Sequence, residues 1–166
     1  GPQSALIDVG GGASRLVDAL LDELVGSITV MDLSEAALGL ARQRLGERAR
    51  EVTWLVGDIT KVSLPAQAYD LWHDRAVFHF MTTPESRQAY LQRLQHALRP
   101  CGHVVMSTFA EDGPERCSGL PVQRYSRQEL MHALGPRFVL LAHERELHTT
   151  PSGAQQAFNH ALLRFA

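Results

Sequence analysis

The sequence predicts an α/β fold built on a mostly parallel sheet, and three observations predict it. β-rich apolar runs alternate along the whole chain with segments of helical apolar spacing ten to fifteen residues long, the pattern of crossover connections. Glycines and acidic residues gather where the early strands end, the edge at which such sheets hold ligands. The last two apolar runs are separated by about ten residues rich in Thr, Pro and Gly with no helical pattern, so a hairpin joins them and the last strand runs antiparallel.

Each element has its own signal. ALIDVG (5–10) is a first strand. From Ser14, Leu16, Val17, Leu20, Leu21 and Leu24 keep helical spacing up to Gly26. SITVMD (27–32) is a second strand, and Ser34 caps a helix carrying Ala37, Leu38, Ala41 and Leu45 that Gly46 ends. VTWLVGD (52–58) and YDLWHD (69–74) are the third and fourth strands. Thr83-Pro84 opens a helix with proline at its first position, and Arg99-Pro100 stops it. HVVMSTF (103–109) is the fifth strand, and Ser126 with Glu129 forms a capping box that opens a helix through Leu134. FVLLAHEREL (138–147) and the run around 157–165 close the chain as strands.

With 166 residues the chain has the length of one ordinary domain, and a net charge of −2 lacks the basic excess of a nucleic-acid groove or an anionic-membrane surface. No apolar run approaches the ~18 residues of a membrane span, and no signal peptide is evident. Two cysteines, Cys101 and Cys117, are too few for a disulfide framework and read as reduced thiols of a cytoplasmic protein. The eight histidines form no HxxxH pair and none stands at ligand spacing from a cysteine, so no metal site is expected.

LIDVGGGAS (6–14) carries the first chemical signal. Gly10-Gly11-Gly12 admits a ligand to bare main chain and allows positive φ. The dinucleotide fingerprint asks for a third small residue where this chain has Arg15, which counts against a pyrophosphate cradle and a nicotinamide oxidoreductase. Asp8 can anchor a ligand ammonium or the loop itself. Asp32 ends strand 2, where a carboxylate would grip a ribose diol. Asp58 in Gly57-Asp58-Ile59 can accept from an exocyclic amine, with Ile59 packed on a ring.

Five segments in this order, LIDVGGGAS, VMDLS, VGDI, YDLWHDRAVFHF and LRPCGHVVMSTF, resemble the class I S-adenosylmethionine-dependent methyltransferases over nearly the whole chain. The resemblance implies a Rossmann-like three-layer sandwich with a seven-stranded sheet whose last strand is reversed. It also implies S-adenosylmethionine as cofactor. Asp8, Gly10, Gly11 and Gly12 would face its methionyl part, Asp32 and Leu33 the ribose side, and Asp58 with Ile59 the adenine, with Arg75 at the same edge. The implied activity is methyl transfer to a small-molecule O, N or S nucleophile. A protein-lysine or arginine methyltransferase, or a cofactor-binding subunit without turnover of its own, are the alternatives.

Because the sulfonium brings an activated methyl, the chain needs chiefly to align donor and acceptor and, where required, to take a proton. Asp74, at the end of strand 4, and His79, just beyond it, are the candidates. The Asn-Pro-Pro-aromatic motif of nitrogen methyltransferases is replaced here by Asp74-Arg75-Ala76-Val77. Residues 111–126, rich in Gly and Pro, leave the ligand-bearing edge as a substrate wall, with Cys117, Arg124 and Tyr125 as candidate contacts and His148 approaching the same edge. Members of this family usually carry a helix or two before strand 1. Here a strand begins at Ala5, so either upstream residues are missing, or a partner chain or a dimer neighbour supplies that lid. Gly1-Pro2 reads either as a protease scar or as the start of a chain that has lost upstream residues.

Overall fold

The computed structural model describes residues 1–12, 14–23 and 25–166. Its centre is a seven-stranded sheet in the order β3-β2-β1-β4-β5-β9-β8. β1 (Ala5–Val9), β2 (Ser27–Asp32), β3 (Val52–Val56), β4 (Tyr69–Arg75) and β5 (Leu98–Phe109) run parallel; β8 (Phe138–Thr149) and β9 (Gln155–Phe165) form the hairpin, and β9 is antiparallel to both its neighbours. Two two-residue strands, β6 (Arg116–Cys117) and β7 (Leu120–Pro121), make a separate small hairpin between β5 and α4. The chain reverses from β1 towards β3 on one side and from β4 towards β8 on the other, so the switch point lies between β1 and β4.

Helices cover both faces because side chains alternate along each strand. Leu6, Ile28, Val30 and Val52 pack against Val17 and Leu21 of α1 (Leu16–Asp22) and Leu38 of α2 (Glu35–Leu45). On the other face Ile7, Val9, Trp72, Val104 and Met106 meet Tyr90 and Leu94 of α3 (Pro84–Ala97) and Leu130 and Leu134 of α4 (Arg127–Leu134). Each such fully buried side chain stabilises the fold by about 1.5–3 kcal/mol.

The expected caps are present. Ser34 accepts from the Ala37 N–H, and the Thr83/Ser86 and Ser126/Glu129 pairs close reciprocally. Differences from the sequence reading have local causes. The Ser14 hydroxyl accepts from the Leu16 N–H at 3.1 Å, so α1 begins two residues later than its apolar spacing suggests. Leu24, expected on that helix, lies outside the described residues. α3 ends at Ala97, before the expected stop at Arg99-Pro100, and those two residues belong to the sheet: Leu98 already pairs with Tyr69, and a bulge with Cys101 at φ +64° carries β5 into the run from His103.

Candidate functional site

The carboxyl ends of β1, β2, β3 and β4 surround a cavity of about 510 Å³. Gly10, at φ +73°, turns the chain out of β1, and its N–H and that of Gly11 donate to the Met31 carbonyl. A Cβ at Gly10 would strike the Val77 side chain, one at Gly11 the Asp8 carboxylate, and one at Gly12 would stand 2.5 Å from Asp32 Oδ2. All three glycines are therefore required by close approach. Gly10 lines the cavity, whereas Gly11 and Gly12 are packed behind it.

Asp8 lies beneath this loop. It is 3% exposed, and its Oδ1 is 2.7 Å from His73 Nδ1, so it supports the loop from the interior and does not line the cavity. Asp32 does line it. Its Oδ1 accepts from the Ser34 N–H at 2.8 Å, which fixes the β2–α2 turn and leaves Oδ2 beside the glycines. Asp58 lines the cavity from the end of the neighbouring strand, two residues beyond Val56, which pairs with Asp32, and accepts from both the N–H and the hydroxyl of Thr60. Those bonds hold its carboxyl below the usual carboxylate range, so it is ionised at neutral pH. Met31, Leu33, Ile59, Val77, Phe80 and Met81 supply the apolar walls, and Arg75 is the cation of the lining.

The β4 loop that forms one wall is tied down by Asp74. This carboxylate is fully buried and accepts from the Val77 N–H at 2.8 Å, the Phe78 N–H at 2.9 Å and the Tyr90 hydroxyl, which itself accepts from Trp72 Nε1. Burial pushes its pKa up to about 6 despite the three donors. Ala76, at φ +65°, is in the left-handed region, a strain of about 1–2 kcal/mol that the Asp74 bonds and the Ala76 N–H to Ser107 carbonyl bond offset.

His79 follows on a 3₁₀ turn (Phe78–Phe80) and is fully buried between Phe80 and Phe109. Its Nδ1 accepts from the Phe109 N–H at 3.3 Å, Nε2 has no protein partner, and burial lowers its pKa to about 4. Both residues expected to act on a substrate thus stand behind the cavity wall, because the apolar side chains around them turn them into the core.

The expected substrate contacts are not among the residues that line the cavity. Cys117 is in β6. Arg124 donates to the Gly113 carbonyl and pairs with Glu115 at 3.6 Å, facing a separate depression lined by Glu111, Glu115 and Glu129. Tyr125 is buried against Phe78 with its hydroxyl unpartnered, and burial raises its pKa. The 111–126 segment does reach the cavity, but through Leu120 and Pro121, whose apolar character carried no chemical signal in the sequence. Among the described residues no cluster of three or more His, Cys, Asp or Glu side chains could hold a metal ion, and no helix is long and apolar enough to cross a membrane.

Comparison with known proteins agrees with this architecture. Residues 6–102 match the model of a family described as a methyltransferase domain. An N-terminal Xaa-Pro-Lys N-methyltransferase 1 of Ailuropoda melanoleuca is 29% identical over 113 residues, which are 66% of this chain and 50% of that protein; the chain spans about half the length of the curated relatives of this kind. Among solved structures, an S-adenosylmethionine-dependent methyltransferase of Methanosarcina mazei superposes with a TM-score of 0.81 at 13% identity, over 99% of this chain and 93% of that one. The Burkholderia thailandensis 1,6-didemethyltoxoflavin-N1-methyltransferase, solved with bound 1,6-didemethyltoxoflavin and S-adenosylhomocysteine, gives 0.77 at 24% identity over 98% and 71%. With the family model covering more than half its length, the chain belongs to the methyltransferase-domain family.

Proposed function

We propose that the cavity binds S-adenosylmethionine and that the protein transfers its methyl group to a small molecule bearing an O, N or S nucleophile. The observation that carries the reading is the pair of carboxylates, Asp32 and Asp58, at and just beyond the ends of the neighbouring strands β2 and β3 in one apolar slot that a positive-φ glycine also lines. Asp32 Oδ2 is free to accept from a diol, the ionised Asp58 from an exocyclic amine, and Ile59 and Leu33 offer flat apolar contact to a ring. When bound, the sulfonium supplies the methyl group in activated form. Arg75 holds the anionic end of the ligand, while Leu120, Pro121, Phe80 and Met81 exclude water from the reacting atoms. Asp8 and Asp74 are positioning residues, the first for the glycine loop and the second for the β4 loop.

A second reading, an amine at a protein N-terminus as acceptor, draws on the 29% identity to the N-terminal Xaa-Pro-Lys N-methyltransferase 1. Calorimetric titration with S-adenosylhomocysteine and, separately, NADH tests the cofactor reading. Saturable one-to-one binding of the former alone supports it; binding of NADH alone refutes it. Transfer of labelled methyl to small acceptors against an Ala-Pro-Lys peptide then separates the two substrate readings.

A further inference from the structure

On the side of the sheet that carries α1 and α2, three adjacent strands present a connected set of polar side chains. Ser107 of β5 is in register with Arg75 of β4 and with His160 of β9, so all three point to that side. Ser107 Oγ is 2.7 Å from His160 Nδ1, and His160 Nε2 is 2.8 Å from Glu146 Oε2 of β8. A carboxylate only accepts, so in the neutral imidazole Nε2 carries the proton and donates to Glu146. Nδ1 is then the acceptor, and the Ser107 hydroxyl donates to it. This is the order of nucleophile or proton donor, base and orienting carboxylate by which acid–base sites are recognised irrespective of sequence position.

The set adjoins the cavity. Arg75, a cavity wall, places its guanidinium 5.8 Å from the centre of the Phe158 ring, and that ring lies parallel to His160 at 5.9 Å. Ala76, also a cavity wall, donates to the Ser107 carbonyl at 2.9 Å. Ser107 is 3% exposed, but the His160 side chain is 25% exposed and opens to the same side as Arg75.

We propose that Ser107, His160 and Glu146 form the proton relay of the methyl-transfer site, resting on the cofactor reading above, and that the acceptor is a molecule with a removable proton, an amine or a hydroxyl compound, lying against Arg75 and Phe158. As the acceptor forms its bond to the methyl carbon, the carbon–sulfur bond breaks with its electron pair left on sulfur. The acceptor's proton passes to Ser107 Oγ while the Ser107 proton passes to His160 Nδ1. Glu146 stabilises the resulting imidazolium, and the proton leaves to solvent at the exposed edge of β8. Ser107 touches the acceptor; His160 is the base, and Glu146 is a positioning residue.

The test uses the full chain, wild type and the variants His160→Gln, Glu146→Gln and Ser107→Ala. None of the three residues lines the cavity, so S-adenosylhomocysteine binding by calorimetry is retained in all. Long-range proton–nitrogen spectra of the imidazoles show the Nε2–H tautomer for His160 and a mixture of tautomers in Glu146→Gln. Methyl transfer to an Ala-Pro-Lys peptide, a phenol or a primary amine falls about 10²–10⁴-fold in His160→Gln, the usual scale of general-base catalysis, and less in Glu146→Gln. An Nδ1–H tautomer in the wild type, loss of cofactor binding in His160→Gln, or equal transfer in His160→Gln overturns the relay. So does a wild type that binds S-adenosylhomocysteine yet methylates none of the three probes. A wild type that does not bind S-adenosylhomocysteine overturns the cofactor reading, and the relay with it.

Discussion

Replacing Asp74 with Asn removes a charge from a fully buried polar site beside the cavity while keeping its size. Burial pushes the carboxyl up to about 6 in the fold against 3.8 in the open chain, a difference of about 2. At 1.36 kcal/mol per unit, ionising it in the fold costs about 3 kcal/mol relative to the unfolded state. The sign follows from the raised value: the native state binds the proton more tightly, so this stability is complete below pH 3.8 and is lost as pH rises through 6. Asn does not titrate. Its carbonyl can serve the Phe78 N–H and the Tyr90 hydroxyl, and its amide then faces the Val77 N–H, donor against donor, at a cost of about 1 kcal/mol. Desolvation therefore outweighs the lost hydrogen bond at neutral pH. Asp74→Asn should gain about 2 kcal/mol on the wild type between pH 4.5 and 7.5 and be the more stable protein at the upper end. Urea unfolding at a series of pH values measures this, followed by the fluorescence of Trp72, whose Nε1 donates into the same network. A stability difference that does not change with pH, or that moves the other way, would mean that burial does not raise the Asp74 carboxyl in the fold.

His79 works in the opposite direction. Its pKa is lowered by burial from 6.5 to about 4, so stability present above pH 6.5 is lost as pH falls through 4, by about 3 kcal/mol; His79→Gln should be less acid-sensitive in that window, and its cofactor affinity should be unchanged. Because Asp74 and His79 oppose one another there, the wild-type profile hides both and only the variants separate them. Asp32→Ala should weaken S-adenosylhomocysteine binding by about 1–3 kcal/mol, roughly 5- to 150-fold, because a ligand diol is left without its acceptor; calorimetry reads it. Gly12→Ala, which sets a methyl 2.5 Å from Asp32 Oδ2, should weaken the same binding by displacing that carboxylate, with little change in unfolding midpoint if the turn alone yields. Tyr90→Phe should lower stability by about 1–3 kcal/mol, since Trp72 Nε1 and Asp74 lose their shared partner in the core.

The order of strands and helices was legible because periodicity and caps are local properties: Ser34, Thr83-Pro84 and Ser126/Glu129 each announce a helix within four residues, and each helix begins there. The reversed last strand was legible from the short, helix-free 149–156 stretch. Asp32, Leu33, Asp58, Ile59, Gly10 and Arg75 were legible as one group because each sits at or just beyond a strand's carboxyl end, and the fold brings those ends to one cavity. What escaped depends on contacts between distant parts of the chain. Asp74 and His79 have catalytic side-chain types, but their roles are set by Tyr90, Phe109 and the packing of α3. The apolar Leu120 and Pro121 become cavity walls only because the small β6–β7 hairpin brings them to the residues of the β4 loop, and the left-handed Ala76 has no glycine to mark it. Ser107, His160 and Glu146 are 53 and 14 residues apart in sequence, and only the β5-β9-β8 register brings them together.

A crystal structure of the protein grown with S-adenosylhomocysteine tests directly whether the cavity is the cofactor site. The ligand should lie in the cavity at the carboxyl ends of β1 to β4, with its ribose hydroxyls on Asp32, its adenine against Asp58, Ile59 and Leu33, and its amino-acid end at the Gly10 turn. Density for the ligand at any other place, or an empty cavity at saturating ligand, would contradict the cofactor reading.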